Sequence, residues 1–140
     1  MNIYNASVAE FIDKFDASKD PHLWVKLINE EADELIEATA NLLKEYCDLM
    51  YVTHGADLVA GDTKEELLPP YVKVKLIRII AIMEAVLGAF DDDTIDEAFL
   101  RVHASNMSKL GEDGKPIRRS DGKIQKGPNY KPADLLDLVY

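Results

Sequence analysis

The residues of this chain best suited to chemistry are acids standing where apolar side chains would be expected. A helix turns about 100° per residue. With Glu31 at the origin, Trp24 falls at about +20°, Leu35 at about +40°, Ile28 at about +60° and Leu27 at about −40°. Glu31 is thus centred in an apolar stripe with Glu34 at its edge, while Glu30, Asp33 and Glu37 turn progressively toward solvent. A second acid repeats the pattern: Glu45 shares its stripe with Leu42, Leu49, Val52 and Ala56, and Asp48 lies at the edge. Each pair has i, i+3 spacing. A carboxylate withdrawn from water costs several kcal/mol unless something compensates it, and four converging carboxylates repel one another. A divalent cation is the simplest compensation. Hard oxygen donors, with neither a cysteine cluster nor a histidine pair, favour Mg²⁺, with Mn²⁺ able to substitute.

Asn106 is a third polar intrusion, sharing a stripe with Ile95, Phe99, Val102 and Leu110, with Lys109 at its edge and His103 beside it. Acids that hold cations, with an ammonium close by, suit a polyphosphate substrate. The charge distribution points the same way. The 140 residues carry a net charge of −10, with 16 basic and 26 acidic side chains. Between Lys109 and Lys131 seven basic residues face three acids, so that segment is +4 and the remainder −14. A body this acidic repels nucleic acid and anionic membranes, so neither is expected as a partner.

The elements that must position these residues are helices. An amphipathic helix is expected over 4–16, capped by Asn5 or Ser7, with Val8, Phe11, Ile12 and Phe15 on one face. Asp20-Pro21 starts a helix over about 21–39, and another runs over about 41–60 to Gly61, with a weakly marked joint at Thr39-Ala40-Asn41. Pro69-Pro70 opens a helix over about 70–90, and Asp91 to Thr94 stop it and cap one over about 95–110. Beyond Leu110 the turn dipeptides Asp113-Gly114, Asp121-Gly122 and Gly127-Pro128 predict loop, with room for a small hairpin between Ile117 and Ile124 and a short terminal helix over 133–140. The expected fold is all-α: a four-to-five-helix bundle in a single domain, its helical core over about 4–110 and a mostly irregular basic tail over about 111–140. The single cysteine, Cys47, excludes a disulfide framework and is expected as a small buried hydrophobe. The chain lacks both an apolar run of about 20 residues and a signal-peptide pattern, so a soluble cytoplasmic protein is expected.

Glu30-Glu31-Ala-Asp-Glu34 followed by Glu45-Tyr-Cys-Asp48 resembles the EExxE…ExxD signature of the all-α nucleoside triphosphate pyrophosphohydrolases, the MazG-like and phosphoribosyl-ATP pyrophosphohydrolase-like proteins. The stretches LMYVTHG (49–55), VHASNMSKL (102–110) and GKPIRRSDGKIQKGPNYKPADL (114–135) are similar too. Two features depart from the family pattern: only ten residues lie between Glu34 and Glu45, and residues 62–92 form an extra helical segment beside compact relatives. The resemblance implies Mg²⁺-dependent cleavage of a nucleoside triphosphate between its α- and β-phosphates, giving monophosphate and pyrophosphate. It implies Glu31, Glu34, Glu45 and Asp48 as metal ligands, with Glu30 binding a further ion or orienting water, so that Glu30, Glu31 and Glu34 carry catalysis. Lys109 and Lys126 would neutralise phosphate oxygens, Asn106 and Asn129 hold sugar or phosphate, and Tyr130 pack on the nucleotide. Trp24 either stacks on the base or fills the core.

Two other readings stay open: a non-catalytic helical module that binds nucleotide or metal, and a phosphoribosyl-ATP pyrophosphohydrolase. A homotetramer or homodimer is expected. From Ile79 to Phe90 the only charge is Glu84, and a face that apolar exceeds what a monomer exposes.

Overall fold

The computed structural model describes residues 2–63 and 67–139. Residues 64–66, within the extra segment expected over 62–92, and Tyr140, at the end of the expected terminal helix, lie outside the described residues. The fold is all-α. Five α-helices are described: α1 (Ile3–Lys14), α2 (Pro21–Ala60), α3 (Pro70–Leu87), α4 (Asp92–Met107) and α5 (Leu136–Val139), with a 3-10 turn over Gly61–Thr63. The chain divides into two compact units, Met1–Ile36 and Glu37–Tyr140.

In the first unit α1 starts earlier than expected. Asn2, not Asn5 or Ser7, is the N-cap, its side-chain oxygen accepting from the Asn5 N–H at 2.9 Å. Asn2 satisfies a free first-turn donor, which lets the helix begin ahead of the apolar stripe that the periodicity detects. Asp20 opens α2 by accepting from the His22 N–H at 2.9 Å, with Pro21 as the first helical residue. The unit has no buried residue among those described: Val8, Phe11, Phe15, Ile28 and Leu35 are all exposed.

The two helices expected over 21–39 and 41–60 are one unbroken helix of 40 residues. Thr39-Ala40-Asn41 contains no glycine or proline to stop it, and Ala40 is buried, so packing holds the backbone helical through the weak point. The helix ends where expected. Gly61 takes a φ of 53°, in the left-handed region that favours glycine, and turns the chain out of α2.

The core belongs to the second unit. Ala40, Leu43 and Cys47 from α2 meet Met83 and Leu87 from α3, Ala98 and Val102 from α4, and Leu135 from the tail. Phe90, Ile95, Phe99, Leu138 and Val139 pack around them. This core lies on the opposite side of α2 from the stripe expected through Glu45, because α2 carries two apolar faces and only one is covered. α3 buries Met83 and Leu87 but leaves Ile79 and Ile80 exposed. Asp91 caps α4, accepting from the Thr94 N–H at 2.8 Å.

The basic tail is largely irregular and well fastened. Around Asp121-Gly122 it forms the expected small hairpin, with one antiparallel bridge between Arg118 and Ile124 and the Gln125 N–H donating to the Ile117 carbonyl at 2.8 Å. Arg101 on α4 grips Asp137 with two nitrogens, at 2.6 and 3.0 Å, and donates to the Asp134 carbonyl at 3.1 Å. A paired guanidinium and carboxylate make a directional clasp, which holds the Asp137 carboxyl below its usual range.

Candidate functional site

On α2 the second acid pair stands beside a cation of the chain's own. The Lys44 ammonium donates to Asp48 at 2.9 Å and to Glu45 at 3.1 Å. The Asp48 hydrogen bond, with Glu45 adding to it, raises the Lys44 pKa despite partial burial. One residue away, the Cys47 thiol is buried in the core and pushed up to about 11, chiefly by burial and then by the charge on Asp48. A helix turn that buries Cys47 therefore presents Asp48 at the edge of the core and Glu45 to solvent.

α2 and α4 run antiparallel in this unit. The Tyr51 hydroxyl lies 3.1 Å from His103 Nδ1, and the rings stack at 5.8 Å. Phe99 contacts both Tyr51 and His54, so partners on α4 step backward as α2 advances. Asp48, one turn before Tyr51, and Asn106, one turn past His103, are consequently directed toward the same end of the helix pair. There the Lys109 ammonium donates to Asn106 Oδ1 at 2.6 Å, and both residues are half-buried.

The tail returns to this same end. The Lys131 N–H donates to the Ser108 hydroxyl at 2.9 Å. Gly127 runs directly against the carbonyls of Lys109 and Leu110, so closely that a Cβ there would collide with both. This contact explains the glycine and brings the turn that follows onto the C-terminus of α4. In that turn the Lys126 ammonium lies 4.6 Å from the Tyr130 ring centre, a cation–π pair, and Asn129 is exposed. The chain thus gathers Asn106, Lys109, Lys126, Asn129 and Tyr130 around the end of α4.

Glu30, Glu31 and Glu34 stand in the first unit and are exposed. Glu31 was expected inside an apolar stripe; its stripe partners Ile28 and Leu35 are themselves uncovered, so no desolvation acts on it. Glu30 pairs with Lys26 at 3.6 Å. Trp24 is half-buried rather than core, its indole N–H donating to the Ser18 carbonyl at 2.8 Å. Among the described residues no three or more His, Cys, Asp or Glu side chains form a group that could hold a metal ion. The two acid pairs lie on one unbroken helix, eleven residues apart at their nearest. Their donors have the chemistry of a hard-cation site.

Sequence reasoning did not single out Lys44, Ser108 or the close approach of Gly127. Lys44 was detectable from its spacing, four residues before Asp48 on a helix. Ser108 and Gly127 act across 23 and about 17 residues of sequence respectively, and no local pattern reports such contacts.

Residues 6–67 match the family model of phosphoribosyl-ATP pyrophosphohydrolase. The matched segment is just under half the chain and includes both acid motifs, while the similar stretches at 102–110 and 114–135 lie beyond it. No curated protein matches the chain. No solved structure matches it either. The segment that carries EExxE and ExxD on this all-α scaffold is thus similar to the phosphoribosyl-ATP pyrophosphohydrolase family, a member of the MazG-like, all-α nucleoside triphosphate pyrophosphohydrolase superfamily.

Proposed function

We propose that the protein is a pyrophosphohydrolase that cleaves a nucleoside or deoxynucleoside triphosphate between its α- and β-phosphates, releasing monophosphate and pyrophosphate for control or cleansing of the nucleotide pool. The observation that carries the reading is the end of the α2–α4 pair, toward which Asp48 on α2 and Asn106 on α4, with Lys109 bonded to it, are both directed. Lys109 supplies positive charge to phosphate oxygens as a point charge, and its bond to Asn106 limits its reach. Lys126, held over Tyr130, adds a second cation beside an aromatic face suited to a nucleotide. Asn106 and Asn129 offer amides to sugar or phosphate. The acids at Glu30, Glu31 and Glu34 are proposed to work with Glu45 and Asp48, and Mg²⁺, replaceable by Mn²⁺, is the proposed cofactor. When bound, such an ion polarises phosphoryl oxygens and activates water.

A second substrate, phosphoribosyl-ATP, is favoured by the family model over residues 6–67. The two readings share the bond broken and differ in the nucleotide. Purified protein incubated with each common ribo- and deoxyribonucleoside triphosphate, and with phosphoribosyl-ATP, with and without Mg²⁺, tests both. The expected result is stoichiometric pyrophosphate and monophosphate, seen by ³¹P NMR, from at least one triphosphate and only with the metal. Turnover of phosphoribosyl-ATP alone selects the second substrate. Release of orthophosphate, or no product from any nucleotide, defeats the reading.

A further inference from the structure

The basic tail carries two arginines in succession, and the fold uses only one of them. The Arg119 guanidinium donates to both Asp121 oxygens, at 2.9 and 2.5 Å, and Asp121 also accepts from the Lys123 N–H at 3.2 Å. That fork closes the turn of the hairpin. Arg118 is exposed, and its guanidinium has no hydrogen-bond or ion-pair partner among the described residues. Arg119 is thus committed to the turn, while the five N–H donors of Arg118 remain open to a ligand.

The hairpin register decides which way Arg118 faces. Arg118 stands directly opposite Ile124. The pair is flanked by bonds from the Gln125 N–H to the Ile117 carbonyl and from the Arg119 N–H to the Lys123 carbonyl, both 2.8 Å. Opposed residues share a face, and side chains alternate along each strand. Ile117, Gln125, Arg119 and Lys123 therefore occupy one face, and on it Ile117 lies against Gly111, where the chain leaves α4. Arg118 and Ile124 occupy the other, and the alternation carries that face on to Lys126. Lys126 is the cation over the Tyr130 ring, and the next residue, Gly127, is pressed against the carbonyls of Lys109 and Leu110. One face of the tail thus bears two cations, Lys126 at the anchored base of the hairpin and Arg118 farther out. Two positions along a strand span about 7 Å, a gap across which two long side chains converge on one polyanion.

We propose that Arg118 is a phosphate-binding residue, gripping the pyrophosphate end of the substrate's polyphosphate chain while Lys126 and Lys109 meet the phosphates nearer α4. A guanidinium presents parallel N–H donors that match two phosphate oxygens, which an ammonium cannot do. A chain of net charge −10 repels a polyphosphate, and an arginine on its one basic segment offsets that repulsion at the point of approach. The proposal rests on the pyrophosphohydrolase reading for its substrate class. Isothermal titration of the full chain with inorganic triphosphate, in the presence of Mg²⁺, tests it. Arg118→Gln is expected to weaken binding about tenfold, the loss of one bidentate charged contact, and Arg118→Lys to recover part of it. Arg118 is exposed and unpartnered, so both variants are expected to melt with the wild type. Arg119→Gln removes the same charge one residue away. It is expected to keep the affinity within about twofold, as for a screened surface charge, while hydrogen exchange quickens over residues 120–123. Equal losses in Arg118→Gln and Arg119→Gln would reduce the effect to net charge and overturn the proposal. So would wild-type affinity in Arg118→Gln, or a wild type that binds no triphosphate. The reaction and the arginine fail separately. If no nucleotide is turned over, the reaction is lost and the titration still decides Arg118; if turnover stands and Arg118→Gln binds triphosphate like wild type, only the arginine is lost.

Discussion

Asp48 is where packing and chemistry meet most closely. Its neighbour Cys47 is sealed in the core, its own carboxylate is half-exposed, and Lys44 holds it at 2.9 Å. Lys44 is also the group that a metal ion or a phosphate chain must contend with at this position. Glu34, by contrast, stands on an exposed helix face with nothing to desolvate it. The two residues therefore make a paired test of the catalytic proposal. Asp48→Asn and Glu34→Gln are both expected to reduce pyrophosphate release at least a hundredfold. Neither removes buried apolar area, so melting temperatures should shift by no more than about 0.5 kcal/mol equivalent, the usual range for surface changes. Retained turnover in both variants, measured by a coupled pyrophosphate assay, would remove these acids from the active site.

The tail is the element whose attachment matters most, since it brings Lys126, Asn129 and Tyr130 to the end of α4. Its last turn is held by the Arg101–Asp137 clasp. Arg101 stays charged at all accessible pH, so the clasp titrates through Asp137 alone. The pairing holds the Asp137 carboxyl below its unfolded value of about 3.9, so its contribution is complete above that pH. It is lost as pH falls through the lower folded value. Hydrogen exchange over residues 131–139 is expected to stay slow from pH 7 to about 4 and to accelerate, after correction for intrinsic rates, below that. Arg101→Ala should show the fast behaviour at every pH. Protection unchanged between pH 5 and 2.5 would mean that Leu135, Leu138 and Val139 hold the tail without the clasp.

At the scale of the whole molecule, burial is uneven. Leu43 and Ala98 are fully enclosed in the second unit, while the described residues of the first unit include no buried side chain. A helix of 12 residues without a covered face is marginal in water. Amides of α1 are therefore expected to exchange within seconds in dilute protein, and those near Leu43 and Cys47 orders of magnitude more slowly. Slow exchange in α1 at high concentration only would show that association covers its Val8–Phe11–Phe15 face. Slow exchange at all concentrations would contradict the exposure described for this helix.

Much of this molecule was legible in its residues. Asp20-Pro21, Gly61, Pro70 and Asp91 mark helix boundaries through local backbone chemistry, and local chemistry acts whatever the rest of the chain does. The hairpin at Asp121-Gly122 was legible for the same reason, with Gly122 at a φ of 88°. The burial of Cys47 followed from its apolar character and from the absence of a second cysteine with which to pair. The acid motifs, too, are a property of the sequence, and the family match over residues 6–67 includes them. Tertiary structure decided the rest. Periodicity finds every apolar face of a helix but cannot say which one another element will cover. On α2 it pointed to Leu49, Val52 and Ala56, which line an open groove, while packing chose Ala40, Leu43 and Cys47. Whether Thr39-Ala40-Asn41 breaks a helix was likewise settled by the burial of Ala40, a contact that no local window contains. The return of Gly127 to the end of α4 depends on a fit between backbones remote in sequence, and only the folded chain brings them together.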